Sequence, residues 1–223
     1  MVSVLFDFNG TMFFDEEFQN KSWKSFLVNK LNREISDIEM EKMVHGVSSS
    51  VSLRYFFNEN LSEKEVFDLE EEKEKIYRSL CLKSDGFRLA DGLEFFLDQL
   101  KQEKIEMNIA TASGLNNTAF FFKHLQLDRW FCFDKVIYND GNIKSKPDPE
   151  CYLKAAEAIN SSINECIIFE DSKSGIIAGK KANAKAIIGV ASMQKKERLL
   201  ELGADYAIDD YTNLEKLMKL VTV

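Results

Sequence analysis

Hydrophobic and polar residues follow two different periods along the chain, and these periods divide it into two parts. From about residue 14 to residue 82, apolar residues recur at helical spacing, as Trp23 and Leu27 do. Ser-x-x-Glu capping boxes that begin at Ser36 and Ser62 predict helix starts within this stretch. The first part is therefore predicted to be helical.

Short apolar runs and helical patterns alternate over the rest of the chain. The apolar runs, together with the one at the N-terminus, predict strands at 2–6, 106–111, 132–137, 165–169, 184–190 and 205–208. The helical patterns predict helices at 93–103, 116–125, 149–159, 174–182, 194–202 and 212–220, the last with a capping box at Thr212. Such alternation predicts a parallel sheet with helices on both faces.

The predicted fold class is therefore α/β. We expect a Rossmann-like parallel-sheet core formed by residues 1–13 and 86–223, with an inserted α-helical cap domain formed by residues 14–85.

Composition narrows the classes of function. The 223 residues are 45% hydrophobic and 30% charged, which is ordinary for a soluble protein, and the net charge of −8 disfavours nucleic-acid binding. No apolar run is long enough to span a membrane, and the N-terminus lacks the basic segment of a signal peptide. Two histidines exclude a histidine-rich metal site. We expect a cytoplasmic monomer with no nucleic-acid or membrane partner.

Polar residues stand at the predicted carboxyl ends of four strands, where ligands gather in a parallel sheet. They are Asp7, then Thr111 with Ser113, then Lys146, and then Glu170 with Asp171. Carboxylates suit Mg²⁺ and can act as nucleophiles, while hydroxyls and an ammonium can hold phosphate oxygens. Gly10 allows a tight turn that brings backbone N–H groups towards a phosphate. The combination predicts phosphoryl transfer.

These residues belong to segments that resemble the four motifs of the haloacid-dehalogenase superfamily. The segments are DFNGT at 7–11, IEMNIAT with Ala112 and Ser113, KPDP at 146–149 and EDSKSG at 170–175. The resemblance covers nearly the whole chain. It is greatest to the branch that contains β-phosphoglucomutase and sugar-phosphate phosphatases, which has a small helical cap over a Rossmann-like core.

The resemblance implies a phosphatase-type hydrolase that acts on a small phosphorylated metabolite, such as a sugar phosphate, through an aspartyl-phosphate on Asp7. It implies Mg²⁺ held by Asp7, the backbone carbonyl of Asn9 and Asp171, with Glu170 as a further ligand or a supporting partner. The phosphate-binding residues would be Gly10, Thr111, Ala112, Ser113 and Lys146.

Asn9 departs from the family pattern, which has a second Asp at this position. That Asp protonates the leaving group and then activates water, and an amide does neither, which typically costs about 10²–10⁴-fold in rate. We predict a competent metal and phosphate site with weakened, altered or absent turnover. Three explanations stay open: a natural enzyme with a good leaving group or another proton carrier, a natural binder without turnover, or an engineered Asp-to-Asn substitution.

The predicted cap departs from the pattern as well. Ser49 stands where the β-phosphoglucomutase branch has an Arg that grips the distal phosphate, and Gln19 replaces a His. These changes weaken a mutase interpretation. The alternatives to a phosphatase are therefore a catalytically silent phosphometabolite binder and, third, a β-phosphoglucomutase-like phosphotransferase. Lys73 lies in a helix of alternating charge and is interpreted as a surface residue.

Overall fold

A computed structural model describes residues 2–222, without the side chain of Thr222, so the predicted limits at residues 1 and 223 lie outside the described residues. The strands are β1 (Ser3–Phe6), β2 (Glu106–Gly114), β3 (Ile137–Asn139), β4 (Cys166–Glu170), β5 (Ala186–Val190) and β6 (Tyr206–Ile208). The helices are α1 (Glu16–Leu31), α2 (Asp37–Met43), α3 (Ser49–Phe56), α4 (Glu63–Leu82), α5 (Leu93–Gln102), α6 (Leu115–Leu125), α7 (Glu150–Ala158), α8 (Lys173–Lys181), α9 (Lys196–Leu202) and α10 (Leu214–Thr222).

All strands join one parallel sheet in the order β3-β2-β1-β4-β5-β6. The sequence order reverses at β1, because the chain passes from β1 to β2 and β3 on one side and to β4, β5 and β6 on the other. In such sheets, ligands bind outside the carboxyl ends of the strands next to this switch point. The predicted α/β fold class is confirmed.

Successive residues of the central strands face opposite sides of the sheet. Leu5 and Ile168 pack with Tyr152 and Ala155 of α7 in one buried cluster. On the other side, Phe6 stacks on Phe169 with ring centroids 5.0 Å apart. Both faces of the sheet carry apolar side chains and are covered by helices. The buried sheet therefore holds the ends of its strands in fixed positions.

The described chain divides into two compact units, Asp15–Phe87 and the residues before and after that segment. The Asp15–Phe87 unit contains only helices, α1 to α4, around a core that includes Trp23, Leu27 and Leu53. The capping boxes at Ser36 and Ser62 are confirmed, since each serine hydroxyl accepts a bond from the N–H of the Glu three residues on. That this unit is a substrate cap stays a prediction.

The structure corrects the predicted strand at 132–137 and the predicted capping box at Thr212. The apolar run predicted as a strand at 132–137 instead forms a 3₁₀ turn, Phe133–Lys135, before β3. Its hydrogen bonds are local, since the N–H of Val136 donates to the carbonyl of Phe133 at 3.1 Å. The predicted capping box at Thr212 is also wrong, because α10 begins two residues later and Asn213 accepts the bond from the N–H of Lys216.

No described helix is both long and apolar enough to cross a membrane.

Candidate active site

Asp7 lies directly after β1, at the switch point of the sheet. Phe6 pairs with Ile109 of β2 on one side and with Phe169 of β4 on the other. The N–H of Asp7 continues the β4 ladder by donating to the carbonyl of Phe169 at 3.0 Å. The residue is buried, with 7% of its surface exposed, so its carboxylate lies in a largely water-excluded position.

Lys146 places its ammonium against Asp7. Its Nζ lies 2.6 Å from Oδ1 of Asp7, 2.8 Å from Oε2 of Glu170 and 3.2 Å from the carbonyl oxygen of Ala110. The side chain is 8% exposed, and its Nζ also lies 4.7 Å from the centre of the Tyr152 ring. The three protons of the ammonium therefore each have an acceptor.

Glu170 is the support behind this ammonium. Its Oε1 accepts from the N–H of Asp171 and from the N–H and hydroxyl of Ser172, and its Oε2 accepts from Lys146 and from the hydroxyl of Tyr152. Gly175 leaves room for this carboxylate, since a Cβ there would lie 1.7 Å from Oε2. With both oxygens occupied by donors, Glu170 is better suited to position Lys146 and its own loop than to bind a metal ion directly.

The three acidic side chains nevertheless form one cluster. One carboxylate oxygen from each of Asp7, Glu170 and Asp171 lies within 4.8 Å of the others, and all three residues are buried. Gly10 makes room beside them, because a Cβ at this positive-φ residue would lie 2.1 Å from Oδ2 of Asp171. This all-oxygen donor set in a tight cradle fits Mg²⁺, with Asp7 and Asp171 as the better placed ligands.

The loop of Gly10 differs in one respect from the prediction. The N–H of Gly10 donates to the carbonyl of Phe13 at 2.8 Å. Gly10 therefore shapes the loop and accommodates Asp171, and its own N–H is already used within the loop instead of being directed at a phosphate.

Burial gives the three carboxyls unequal proton affinities. It raises the pKa of Asp7 to about 7, because the Lys146 ammonium only partly offsets the cost of ionisation. It also raises the pKa of Asp171 well above the ordinary value, and the charges of Glu170 and Asp7 add to this effect. Burial opposes ionisation of Glu170 too, but the Lys146 ammonium and several hydrogen bonds lower its pKa. A divalent cation would favour the ionised forms of Asp7 and Asp171.

The polar residues of β2 lie at the same edge. Thr111 and Ser113 are part of β2, which extends to Gly114, and do not follow a strand ending at residue 111 as predicted. The Ser113 hydroxyl donates to Oδ1 of Asn9 at 2.8 Å, and its N–H donates to the Thr111 hydroxyl at 3.1 Å. A shallow surface recess borders Thr111, Ala112 and Lys146. Of the predicted phosphate-binding residues, Thr111, Ala112 and Lys146 therefore line one recess, while Ser113 contacts Asn9; that they bind phosphate stays a prediction.

Two residues of this site were not predicted from the sequence. Tyr152 supports Glu170 from α7, and the Thr11 hydroxyl donates to Oδ1 of Asp171 at 3.3 Å. Thr11 is the last residue of the DFNGT segment and Tyr152 follows KPDP, but only the packing of α7 against the sheet shows that the Tyr152 hydroxyl reaches Glu170.

In the helical unit, Lys73 is not the surface residue that its charge pattern suggested. Only 2% of its surface is exposed. Its Nζ donates to Oε1 of Gln19 at 2.6 Å and to Oε1 of Glu74 at 2.8 Å, and it lies 5.3 Å from the ring centres of Trp23 and Tyr77. An ion pair and two aromatic faces compensate for the burial of this charge within the unit.

Comparison with known proteins gives consistent matches. A family model described as haloacid dehalogenase-like hydrolase matches residues 4–189. The phosphorylated carbohydrates phosphatase of Thermotoga maritima is 34% identical over 135 residues, which are 60% of this chain and 59% of that protein. The chain thus spans less than two thirds of the length of that relative.

Two further matches cover most of both proteins compared. The β-phosphoglucomutase of Bacillus subtilis is 27% identical over 219 residues, 96% of this chain and 92% of that protein. The crystal structure of a HAD hydrolase of family IA, variant 3, from Entamoeba histolytica has a TM-score of 0.92 at 34% identity and covers 100% of both chains. These matches span the elements that carry Asp7, Lys146 and Asp171.

Proposed function

The chain belongs to the haloacid dehalogenase-like hydrolase family, and from this premise we propose that it is a Mg²⁺-dependent phosphatase of a small phosphorylated metabolite. The phosphoryl group would pass through an aspartyl-phosphate on Asp7. The phosphatase activity named for the Thermotoga relative, which acts on phosphorylated carbohydrates, makes a sugar phosphate the first substrate class to test.

One observation carries the proposal. The buried carboxylate of Asp7 lies 2.6 Å from the Lys146 ammonium and belongs to one acidic cluster with Asp171, at the switch point of a parallel sheet. This is the arrangement that a carboxylate nucleophile needs, because positive charge must hold both the nucleophile and the phosphoryl oxygens as they approach.

The residues would divide the work as follows. An oxygen of Asp7 attacks phosphorus, the bond to the leaving oxygen breaks, and water then attacks the same phosphorus and restores the Asp7 carboxylate. Thr111, Ser113 and Lys146 hold the phosphoryl oxygens, and Lys146 keeps Asp7 oriented. Mg²⁺, held by Asp7, Asp171 and the backbone carbonyl of Asn9, would supply further positive charge against the phosphoryl oxygens.

The direct test is phosphate release from a panel of phosphorylated metabolites, with Mg²⁺ and with a chelator. We expect release only with Mg²⁺ and its loss in Asp7→Asn. Asp128→Asn, an exposed Asp in the same unit, is the matched control and should behave like the parent chain. Release that survives in Asp7→Asn would refute the nucleophile assignment.

Asn9 supports a second candidate function, that of a catalytically silent phosphometabolite binder. An amide at this position transfers no proton, so turnover is expected to be weakened. The panel should therefore be repeated with Asn9→Asp. Release by Asn9→Asp alone from every compound of the panel, with acetyl phosphate included, would mean that the chain with Asn9 is silent, and release by both proteins from any compound would support the phosphatase.

The full-length similarity to β-phosphoglucomutase supports a third candidate, a phosphotransferase. It is tested by interconversion of glucose phosphates in the presence of a bisphosphate primer. Interconversion faster than phosphate release would favour the mutase over the phosphatase.

A further inference from the structure

We infer that this chain prefers an acyl or enol phosphate, in which the leaving oxygen departs as a carboxylate or enolate and needs no proton. The inference rests on the proposed function and narrows its substrate class. It follows from an inventory of the protons around Asp7.

Asn9, two residues after the nucleophile, carries no titratable proton. The side-chain carbonyl of Asn9 accepts the Ser113 hydroxyl at 2.8 Å, which orients the amide. An amide in this setting can form hydrogen bonds with a leaving oxygen, but it cannot transfer a proton to one. The hydroxyls of Ser113 and Thr111 are too weakly acidic to replace a carboxylic acid.

The ionisable side chains around Asp7 in this unit are already committed. The Lys146 ammonium donates to Asp7, to Glu170 and to the carbonyl of Ala110. Five donors surround the two oxygens of Glu170, one of them the hydroxyl of Tyr152. Among the described residues of this cluster, no carboxyl besides the nucleophile and the proposed metal ligand Asp171 is left to protonate a leaving group.

The first step therefore requires a substrate whose leaving oxygen is stable as an anion. The bond between Asp7 and phosphorus forms, the bond between phosphorus and the leaving oxygen breaks, and the electron pair leaves with that oxygen as an anion. An alkoxide from a simple sugar monophosphate is a poor leaving group without a proton, whereas a carboxylate or enolate is stable as it departs. The first step is then selective for weakly basic leaving groups.

The lack of a side chain that accepts the proton of water also makes the second step slow. Water forms its bond to phosphorus as the bond to Asp7 breaks, and its proton goes to the phosphate product or the solvent, because Asn9 cannot accept it. A good phosphoryl donor therefore loads Asp7 faster than water clears it, so the phosphorylated chain accumulates.

The test uses acetyl phosphate and a series of aryl and alkyl phosphates of graded leaving-group basicity, with Mg²⁺ present. The quantity compared is kcat/KM, which reports the step that breaks the bond to the leaving group. Asn9→Asp should exceed the parent chain by about 10²–10⁴-fold on alkyl phosphates and by less than about tenfold on the most acidic phenols and acetyl phosphate. Asn60→Asp, an exposed Asn in the helical unit, should match the parent throughout.

A second readout is the release of the leaving group before steady state. The parent chain should release a burst close to one equivalent per chain from the best donors, and Asp7→Asn should release none. Equal dependence on leaving-group basicity in the parent and in Asn9→Asp would overturn the inference, since another group would then be supplying the proton. Absence of release from every donor in both proteins would instead overturn the proposed function.

Discussion

Lys146 separates two buried carboxylates, and replacing it with Met removes its charge while keeping most of its volume. Its Nζ lies 2.6 Å from Asp7 and 2.8 Å from Glu170. The Lys146, Asp7 and Glu170 side chains are 8%, 9% and 1% exposed, so water screens the pairs little. In Lys146→Met, no positive charge would compensate for the burial of the Asp7 and Glu170 carboxylates.

The size of the effect follows from the spacing of the acids. Two charges at the 4.8 Å limit of the acidic cluster repel by about 3 kcal/mol at an effective dielectric constant of about 20. Removing one partner of a buried ion pair typically costs about 3–5 kcal/mol. We therefore expect Lys146→Met to lower the free energy of unfolding by about 3–5 kcal/mol at about pH 8 without metal.

The loss should depend on pH with a definite sign. The pKa of Asp7 in the folded chain, about 7, is already above its ordinary value of 3.8, and removing Lys146 raises it further. An acid whose pKa is higher in the folded than in the unfolded state lowers the free energy of unfolding at pH values where the unfolded chain is ionised. This loss becomes smaller as the pH falls, because the acid is then protonated in both states. The deficit of Lys146→Met should therefore be smaller at about pH 5 than at about pH 8.

Urea unfolding of the metal-free protein, followed by circular dichroism at both pH values, measures this deficit. The matched control is Lys144→Met, whose side chain is 74% exposed and whose Nζ lies 3.9 Å from Asp148. The control should change the unfolding free energy by less than about 1 kcal/mol. A Lys146→Met deficit no larger than that of the control, or equal at both pH values, would refute the reasoning.

Three further predictions concern the metal and its support. Gly10→Ala should abolish saturable Mg²⁺ binding in calorimetry, because the new Cβ would lie 2.1 Å from Oδ2 of Asp171. The control is Gly141→Ala, which should bind Mg²⁺ normally, because Gly141 has a similar positive φ but a Cβ there would have no atom within 4 Å. Mg²⁺ affinity of the parent chain should rise with pH through about 7, because Asp7 must lose its proton to bind the ion; a constant affinity across this range would contradict the pKa of Asp7. Tyr152→Phe keeps the ring beside Lys146 but removes the hydroxyl bonded to Glu170, so kcat should fall about tenfold with Mg²⁺ affinity unchanged. Tyr206→Phe, at a half-exposed tyrosine, should leave kcat as it is.

The sequence was informative about the site where chemistry and topology coincide. Asp7 follows a short buried strand, and the pair Glu170–Asp171 ends another, so their positions at one sheet edge could be predicted from strand ends alone. Lys146 could be assigned to the same sheet edge only loosely, because a loop of several residues separates it from β3. The structure brings it within 2.6 Å of Asp7.

Other features depend on contacts between segments that are distant in the sequence. Tyr152 looks like an ordinary core residue of α7, and its bond to Glu170 exists only because α7 packs on the sheet beside β1 and β2. Lys73 has the charge pattern of a surface helix, but Gln19 and Trp23 of α1 cover it. The run at 132–137 is apolar enough for a strand, yet local turn hydrogen bonds replace pairing in the sheet until Ile137.

The most direct test of Asp7 as the nucleophile is to identify the phosphorylated residue. The chain is incubated with acetyl phosphate and Mg²⁺, quenched in acid, digested and analysed by mass spectrometry. We expect one phosphoryl group per chain on the peptide that contains Asp7, and none on Asp7→Asn under the same conditions. A phosphoryl group on a different residue, or undiminished phosphate release by Asp7→Asn, would contradict the assignment.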